Sequence, residues 1–451
     1  MFNKTIDYEE LASFFDGKVR IKSLKLFSDE RGYVCETFRL DSDITHDSKM
    51  CYISETKPYV MRGPHEHVYQ RDEFISWKNN MVYVFYDIKN KKSAYFTTDS
   101  SKIINVSVEP GIVHSYRNLD SKPSFTMNFP TSLFMGENKK EEIDEIRHEH
   151  KFTNNKTFII LGSNGRLGKS LTNEFFGNMG FHSYDVIPVD RKINNPCELY
   201  SLLNDIEQSL KGEKGAQHSR EVVFINCCSF SNVQEADKQK ELVKWVNADL
   251  PLAICTECAK RNWQFVQFSS DYVYQSVVNG DFYDELGSYT QSKKLMEDLI
   301  RNAPKLKTKN TLIIRLANLY SDSAKDVHNI VGKLYRNVRG PGGVVKIVEN
   351  TTIMPTNVRV LSKLLYDTLL SRKQDGLSFI NVVPDEKYKL EEFLLSFFGV
   401  SSERIKKREK RLNDWSKLFI EPSDGTEIMA LKSSGQDILD LISALDALIT
   451  E

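Results

Sequence analysis

TFIILGSNGRLGKS, residues 157–170, decides the fold of the longer part of this 451-residue chain. Phe158-Ile159-Ile160-Leu161 is a short apolar run, as a buried strand requires, and it leads into a glycine turn and then a helix-forming stretch. Gly162, Gly165 and Gly168 give G-x-x-G-x-x-G. The first glycine allows a tight turn and the second lets the backbone approach a pyrophosphate. The third lets the helix pack close to the strand, with its N-terminal N–H groups aimed at the phosphates. A glycine pattern alone is weak; the strand before it and the helix after it give it weight.

Beyond this turn, strand and helix patterns alternate. Residues 183–190 read as a second strand ending in Asp190-Arg191-Lys192. An acid there suits a ribose 2′-hydroxyl, and adjacent cations suit a 2′-phosphate. Arg166 adds positive charge, so the pattern favours NADPH with NADH as the alternative. Residues 221–228 and 264–269 read as further buried strands, and residues 242–261 as a helix containing Asn247. The candidate cofactor contacts are Gly162, Asn164, Gly165, Arg166, Leu167, Gly168, Asp190, Arg191, Cys228 and Asn247.

The strand over 264–269 opens into Ser270-Asp271-Tyr272-Val273-Tyr274, and Tyr289-Thr290-Gln291-Ser292-Lys293 follows at a helix start. Tyr-x-x-x-Lys puts both side chains on one helix face. Lys293 can grip a nicotinamide ribose, and its charge is expected to lower the pKa of Tyr289. Tyr289 can then protonate an oxygen as hydride reaches the carbonyl carbon, with Ser270 giving that oxygen a second hydrogen bond.

The glycine spacing, Ser270, Tyr289 and Lys293, Arg315 in IIRLANLY and Met354-Pro355-Thr356 resemble dTDP-4-dehydrorhamnose reductase of the extended short-chain dehydrogenase family over about residues 156–390. The resemblance implies a Rossmann domain, Ser270, Tyr289 and Lys293 as the catalytic triad, and Arg315 as a substrate contact. Dehydratases of that superfamily carry Asp-Glu after the serine or threonine. Here Asp271 is followed by Tyr272, which argues for simple reduction. Residues 390–398 and 434–448 read as amphipathic helices of a small substrate lobe, and the basic run at 406–411 as a solvated helix face.

The first 150 residues have a different pattern. Short β-type runs at 19–26, 33–38, 51–56, 81–87, 94–97, 103–108 and 125–129 suggest a sandwich or barrel. Three chemically dense groups lie among them: Asp29-Glu30-Arg31-Gly32-Tyr33 with Glu36, then Arg62-Gly63-Pro64-His65-Glu66-His67, then Glu109-Pro110-Gly111-Ile112-Val113-His114. In this order they resemble the cupin-fold dTDP-4-dehydrorhamnose 3,5-epimerase family. That implies an all-β jelly-roll barrel, His65 as the base that removes a proton beside a ketone, and Arg31, Glu36, Arg62 and His114 as substrate contacts. The chemistry is consistent: a carbonyl acidifies neighbouring C–H bonds, and histidine titrates in the right range to accept the proton. Phe134 stands where that family has its proton-returning tyrosine, Asp72 falls near its lysine, and Asp144 is a weak match to its late aspartate. These departures favour inversion at C3 alone over 3,5-inversion. His65, His67, Asp72 or Glu73, and His114 also resemble a metal-binding cupin's ligand set, but their spacing from Gly63 departs from that class, and no metal is assigned.

Composition narrows the function classes. A formal net charge of −1 leaves no global basic field for nucleic acid or anionic membrane. No run is long and apolar enough to span a bilayer. Acidic and tyrosine residues in the first fifteen positions argue against an export signal. Seven cysteines, an odd number, suggest reduced thiols and a cytoplasmic setting. The polar stretch at 148–156 marks a boundary near 154. The expected architecture is a cupin jelly roll over 1–154, then a Rossmann domain with a C-terminal substrate lobe over 155–451. The expected activity is a 3-epimerase fused to a 4-ketoreductase, acting on a UDP- or dTDP-linked 4-keto-6-deoxy-hexose to give a rhamnose-type 6-deoxy-L-sugar. This layout also resembles fused 3-epimerase/4-reductases of giant viruses that act on UDP-2-acetamido-2,6-dideoxy-hexulose. The alternative is a ketoreductase whose cupin only binds or dimerises. A homodimer is expected by analogy alone.

Overall fold

The computed structural model describes residues 8–39, 41, 47–133, 145–148, 156–178, 184–211, 221–274, 287–304, 308–322, 329–339, 345–348, 352–408, 426–432 and 434–450. Phe134 and Asp144 lie outside the described residues, as does the end of the basic run. The chain forms two compact units. One comprises 1–158, 175–188 and 197–221; the other comprises 159–174, 189–196 and 222–451.

In the N-terminal part, α1 (Tyr8–Phe14) precedes twelve strands: β1 (Val19–Ser23), β2 (Leu26–Asp29), β3 (Gly32–Cys35), β4 (Tyr52–Thr56), β5 (Met61–His67), β6 (Asp72–Trp77), β7 (Met81–Asp87), β8 (Lys92–Thr97), β9 (Ile103–Val108), β10 (Val113–Asn118), β11 (Ser124–Asn128) and β12 (Glu145–Arg147). Ten of these form two five-stranded antiparallel sheets, ordered β1-β9-β6-β11-β4 and β12-β5-β10-β7-β8, while β2 and β3 form a separate hairpin. Phe74, Ile104 and Val106 from the first sheet join Tyr83, Phe85 and Tyr116 from the second in one buried cluster, closed by Leu11 of the first helix and Phe15 just after it. Burying both inner faces supplies the main stabilisation, at about 25 cal/mol per Å² of apolar surface.

The C-terminal part holds a seven-stranded sheet. Its strands are β13 (Lys156–Leu161), β14 (Tyr184–Val189), β15 (Glu221–Asn226), β16 (Gln264–Ser270), β17 (Thr311–Leu316), β18 (Leu377–Pro384) and β19 (Glu427–Leu431), in the order β14-β13-β15-β16-β17-β18-β19. Pairing is parallel from β15 through β19. This is the parallel α/β sheet expected of the Rossmann class, and ligands of such sheets bind outside the strands' carboxyl ends. The helices used below are α2 (Arg166–Asn178), α3 (Pro196–Lys211), α4 (Leu250–Lys260), α5 (Ser288–Asn302), α6 (Ile330–Arg339), α7 (Val358–Ser371), α8 (Leu390–Phe398) and α9 (Gly435–Thr450). Residues of α6, α8 and α9 share a core with Tyr320, Val345 and Ile353, which builds a small lobe. The basic run is not a helix face: Ile405–Arg408 is a strand paired in parallel with Val345–Val348.

Candidate functional site

The reductase-type centre forms where β16, α5 and the glycine turn meet the sheet's carboxyl end. The turn is held to the second strand by Gly162 N–H donating to the Val189 carbonyl at 2.8 Å. Gly168 is required by close approach, because a Cβ there would lie 2.1 Å from the Gly162 oxygen. Asn164 donates to the Asp190 carboxylate at 2.5 Å, so the acid at the end of β14 is tied to the turn. Cys228 N–H donates to the Asn226 side chain, and its thiol lies where a Gly162 Cβ would reach. Leu167 is buried, Arg166 and Arg191 are half-buried. The predicted cofactor contacts other than Asn247 therefore gather around this turn and the strand ends beside it.

Asn247 has a different place. Residues Trp245–Asp249 form a π-helical turn ahead of α4, and Asn247 within it is fully buried. Its Oδ1 accepts from Phe230 N–H at 2.8 Å and Ser229 Oγ at 3.1 Å, while Nδ2 donates to the Phe230 carbonyl and to Ser292 Oγ. With its amide engaged inside the protein, Asn247 fixes the loop after β15 against α5 rather than offering a free amide to a cofactor. Such π turns frequently mark functional sites.

Ser270 and Tyr289 share a hydrogen bond, and Lys293 lies one helical turn after Tyr289 on α5. Ser270 Oγ donates to Asp271 Oδ1 at 2.9 Å and its hydroxyl also bonds Tyr289. Lys293 is buried and donates to the Phe268 carbonyl at 3.3 Å. Tyr272 packs edge-on against Tyr289 with centroids 5.5 Å apart. The electrostatics differ from the expectation. Tyr289 is pushed up to about 12, chiefly by burial and also by the Asp271 charge, with the Ser270 hydrogen bond opposing. Burial pulls Lys293 down to about 8, against the charge of Glu297. At neutral pH the phenol is thus protonated and ready to donate.

Arg315, the expected substrate contact, bonds within the fold. It is buried on β17, donates to Glu297 through Nε at 3.0 Å and Nη2 at 2.7 Å, and donates to Tyr274 Oη at 2.6 Å. Its fork is engaged inside the fold. Sequence reading missed Glu297, whose one signal is its position four residues after Lys293.

The N-terminal unit carries a second cluster. His65 and His67 alternate to one face of β5, Asp72 opens β6, and His114 lies on β10 opposite His65. The β10–β5 register shifts between His114 and Tyr116, a bulge of the kind that re-aims side chains. Gly63 allows this packing, since a Cβ there would meet the His114 carbonyl at 2.6 Å. The potential ligand atoms of His65, His67, Asp72 and His114 all lie within 4.8 Å of one another. Asp72 Oδ2 is 3.2 Å from Nε2 of both His67 and His114, and its Oδ1 accepts from Gln70 and Asn128. Burial alone would raise the Asp72 pKa, but hydrogen bonds and charge from His114 and His67 hold it well below the usual range. His114 Nδ1 faces the Ile112 carbonyl at 3.0 Å, which assigns the ring proton to Nδ1. Its buried Nε2 faces the Asp72 carboxylate at 3.2 Å. Three imidazoles and a carboxylate are a donor set for a divalent transition metal, and these residues could hold one.

The other predicted residues of this region are not drawn into the cluster's bonding. Arg31 is exposed on the β2–β3 hairpin and pairs with Asp29 at 2.5 Å. Glu36 pairs with Arg39 at 3.2 Å on the surface. Arg62 is exposed, donating to Thr56 Oγ1 and the Glu55 carbonyl. Each is committed to a neighbour that sequence alone did not reveal.

Residues 156–380 match the family model of the RmlD substrate binding domain. Thus the C-terminal region matches the dTDP-4-dehydrorhamnose reductase family. Residues 27–141 match the polysaccharide biosynthesis C-terminal domain. A probable low-salt glycan biosynthesis epimerase, Agl13 of Haloferax volcanii, is 29% identical over 131 residues, covering 28% of this chain and 84% of that protein. The dTDP-4-dehydrorhamnose reductase of Mycobacterium tuberculosis is 24% identical over 217 residues, 46% of this chain and 64% of the relative. The chain thus spans just under two thirds of that reductase. Among solved structures, the Bacillus anthracis dTDP-4-dehydrorhamnose reductase in complex with NADP is 17% identical, covers 65% of this chain and 99% of that one, and has a TM-score of 0.46. Among the described residues, no helix is long and apolar enough to cross a membrane.

Proposed function

We propose that this protein reduces the 4-keto group of a nucleotide-linked 6-deoxy sugar with NADPH and inverts C3 of the same substrate at the N-terminal histidine cluster. The convergence of Ser270, Tyr289 and Lys293 at the carboxyl end of a parallel sheet carries the reductase half. NADPH supplies the hydride. Ser270 and Tyr289 hydroxyls orient the ketone oxygen and stabilise its growing negative charge. Tyr289 then donates its proton to that oxygen, and Lys293 holds the cofactor ribose and contributes positive charge. Both UDP- and dTDP-linked sugars fit this chemistry, because none of these contacts reads the base.

For the second half, a cupin jelly roll is supported by the two facing antiparallel sheets and the histidines on their inner strands. Removing the proton from C3 leaves an enolate stabilised by the C4 ketone, and a proton returned from water to the opposite face of C3 completes the inversion. The cluster serves this step in one of two ways. His65 can act as the base by itself, or the four groups can hold a divalent cation that polarises the ketone oxygen. The gathering of four potential ligand atoms within 4.8 Å of one another favours the cation. Reduction at C4 removes the keto group through which C3 epimers interconvert, so it traps the inverted product.

Incubation with UDP- and dTDP-4-keto-6-deoxy-hexoses in heavy water tests both halves. NADPH oxidation is expected with at least one of them, and deuterium is expected at C3 without NADPH. No oxidation with any substrate overturns the reductase reading; oxidation without exchange leaves the N-terminal unit a binding or dimerisation module. Cobalt(II) titration is expected to give visible absorption bands from the histidine cluster, and their absence leaves His65 as a metal-independent base.

A further inference from the structure

Glu297 is a buried carboxylate without a part in the chemistry above. It lies four residues after Lys293 and eight after Tyr289, on the same face of α5, and is 4% exposed. Its Oε1 accepts from Ser269 Oγ at 2.7 Å and from Arg315 Nε at 3.0 Å, and its Oε2 accepts from Arg315 Nη2 at 2.7 Å. Arg301 Nη2 lies 3.7 Å away. Ser269 immediately precedes Ser270. Arg315 reaches on to Tyr274, at the end of the short helix that follows Ser270, and Tyr274 shares hydrogen bonds with Asn381 on β18. One carboxylate therefore ties the helix bearing Tyr289 and Lys293 to the strand bearing Ser270 and to two strands beyond it.

We infer that Glu297 is a positioning residue of the reductase centre, fixing the end of β16, and with it Ser270, against the helix that bears Tyr289 and Lys293. The inference rests on the reductase reading. Burial alone drives Lys293 toward its neutral form, and the Glu297 charge opposes that. The other charged or titratable groups around this helix face act elsewhere. Asp271, after β16, bears on Tyr289. Arg315, from β17, is paired with Glu297 itself. Asp237 accepts from Ser288 N–H at the helix start. Glu257, on α4, is paired with Lys260 and Arg261.

The test uses the full chain. Turnover of a 4-keto sugar nucleotide and NADPH affinity, read by fluorescence, are followed across alkaline pH. In Glu297→Gln the alkaline limb is expected to move down by about one pH unit, with NADPH affinity falling over the same range. Glu297→Asp keeps the charge one methylene farther away, guards against misfolding of the glutamine variant, and is expected to fall between it and wild type. Limbs that coincide with wild type in the folded variants, with only the melting temperature lowered, overturn the inference. If wild type oxidises no NADPH, the reductase reading fails on its own, and the affinity profiles still decide the role of Glu297.

Discussion

Tyr289 shows how far one residue's environment can turn a sequence expectation. Tyr-x-x-x-Lys spacing suggests a phenol made more acidic by a neighbouring ammonium. In the fold, burial and Asp271 raise the phenol to about 12, and burial lowers Lys293 to about 8. A protonated phenol is the form that can quench an alkoxide, so the dry site favours reduction near neutral pH. Replacing Tyr289 with Phe removes the proton donor while keeping the ring that packs on Tyr272. Steady-state NADPH oxidation should fall by about 10²–10⁴-fold in kcat, with NADPH affinity retained. Unchanged turnover would assign the acid to another group. Arg315 is the opposite case: its motif context suggests a substrate contact, yet its guanidinium is held by Glu297 and Tyr274 inside the fold. No pattern along the chain reveals that partner, because Glu297 and Arg315 lie on a helix and a strand 18 residues apart.

At the scale of elements, the glycine turn was readable because its constraints are local. A strand, a tight turn and a close helix require those glycines wherever they occur. Gly168→Ala would put a methyl 2.1 Å from the Gly162 oxygen, forcing α2 away from the turn. The expected result is loss of most NADPH affinity, measured by fluorescence titration, with the histidine cluster's response to cobalt(II) unchanged from wild type. Unaltered NADPH affinity would show that the turn does not hold the cofactor. Strands with apolar inner faces were equally readable: Met81–Asp87 and Ile103–Val108 have the expected bounds. Three strands of the candidate site were not. Met61–His67, Asp72–Trp77 and Val113–Asn118 carry Pro64, the histidines, Asp72 and Arg117 on or beside their inner faces, which breaks the apolar alternation that marks a strand. The basic run failed for a related reason. Charged residues from 406 onward fit a solvated helix, and only pairing with Val345–Val348 identifies the strand.

At the scale of the whole molecule, the chain carries two clusters of chemically active side chains, a histidine–aspartate group among the N-terminal strands and a serine–tyrosine–lysine group at the parallel sheet. Under the proposed reading, the first would exchange protons beside a ketone and the second would remove that ketone by reduction. The histidine cluster was visible in sequence as separate motifs, but its unity depends on the pairing of β5 with β10 and of β6 with β9, contacts between distant residues. The central claim is that Ser270, Tyr289 and Lys293 deliver reduction at C4 of a 4-keto sugar nucleotide. NADPH carrying deuterium at its transferable position tests it most directly, with the product examined by NMR and mass spectrometry. The account predicts a single deuterium at C4 of the product sugar from the wild-type chain and none from Tyr289→Phe in the same time. Unlabelled product, or deuterium at any other carbon, would contradict it.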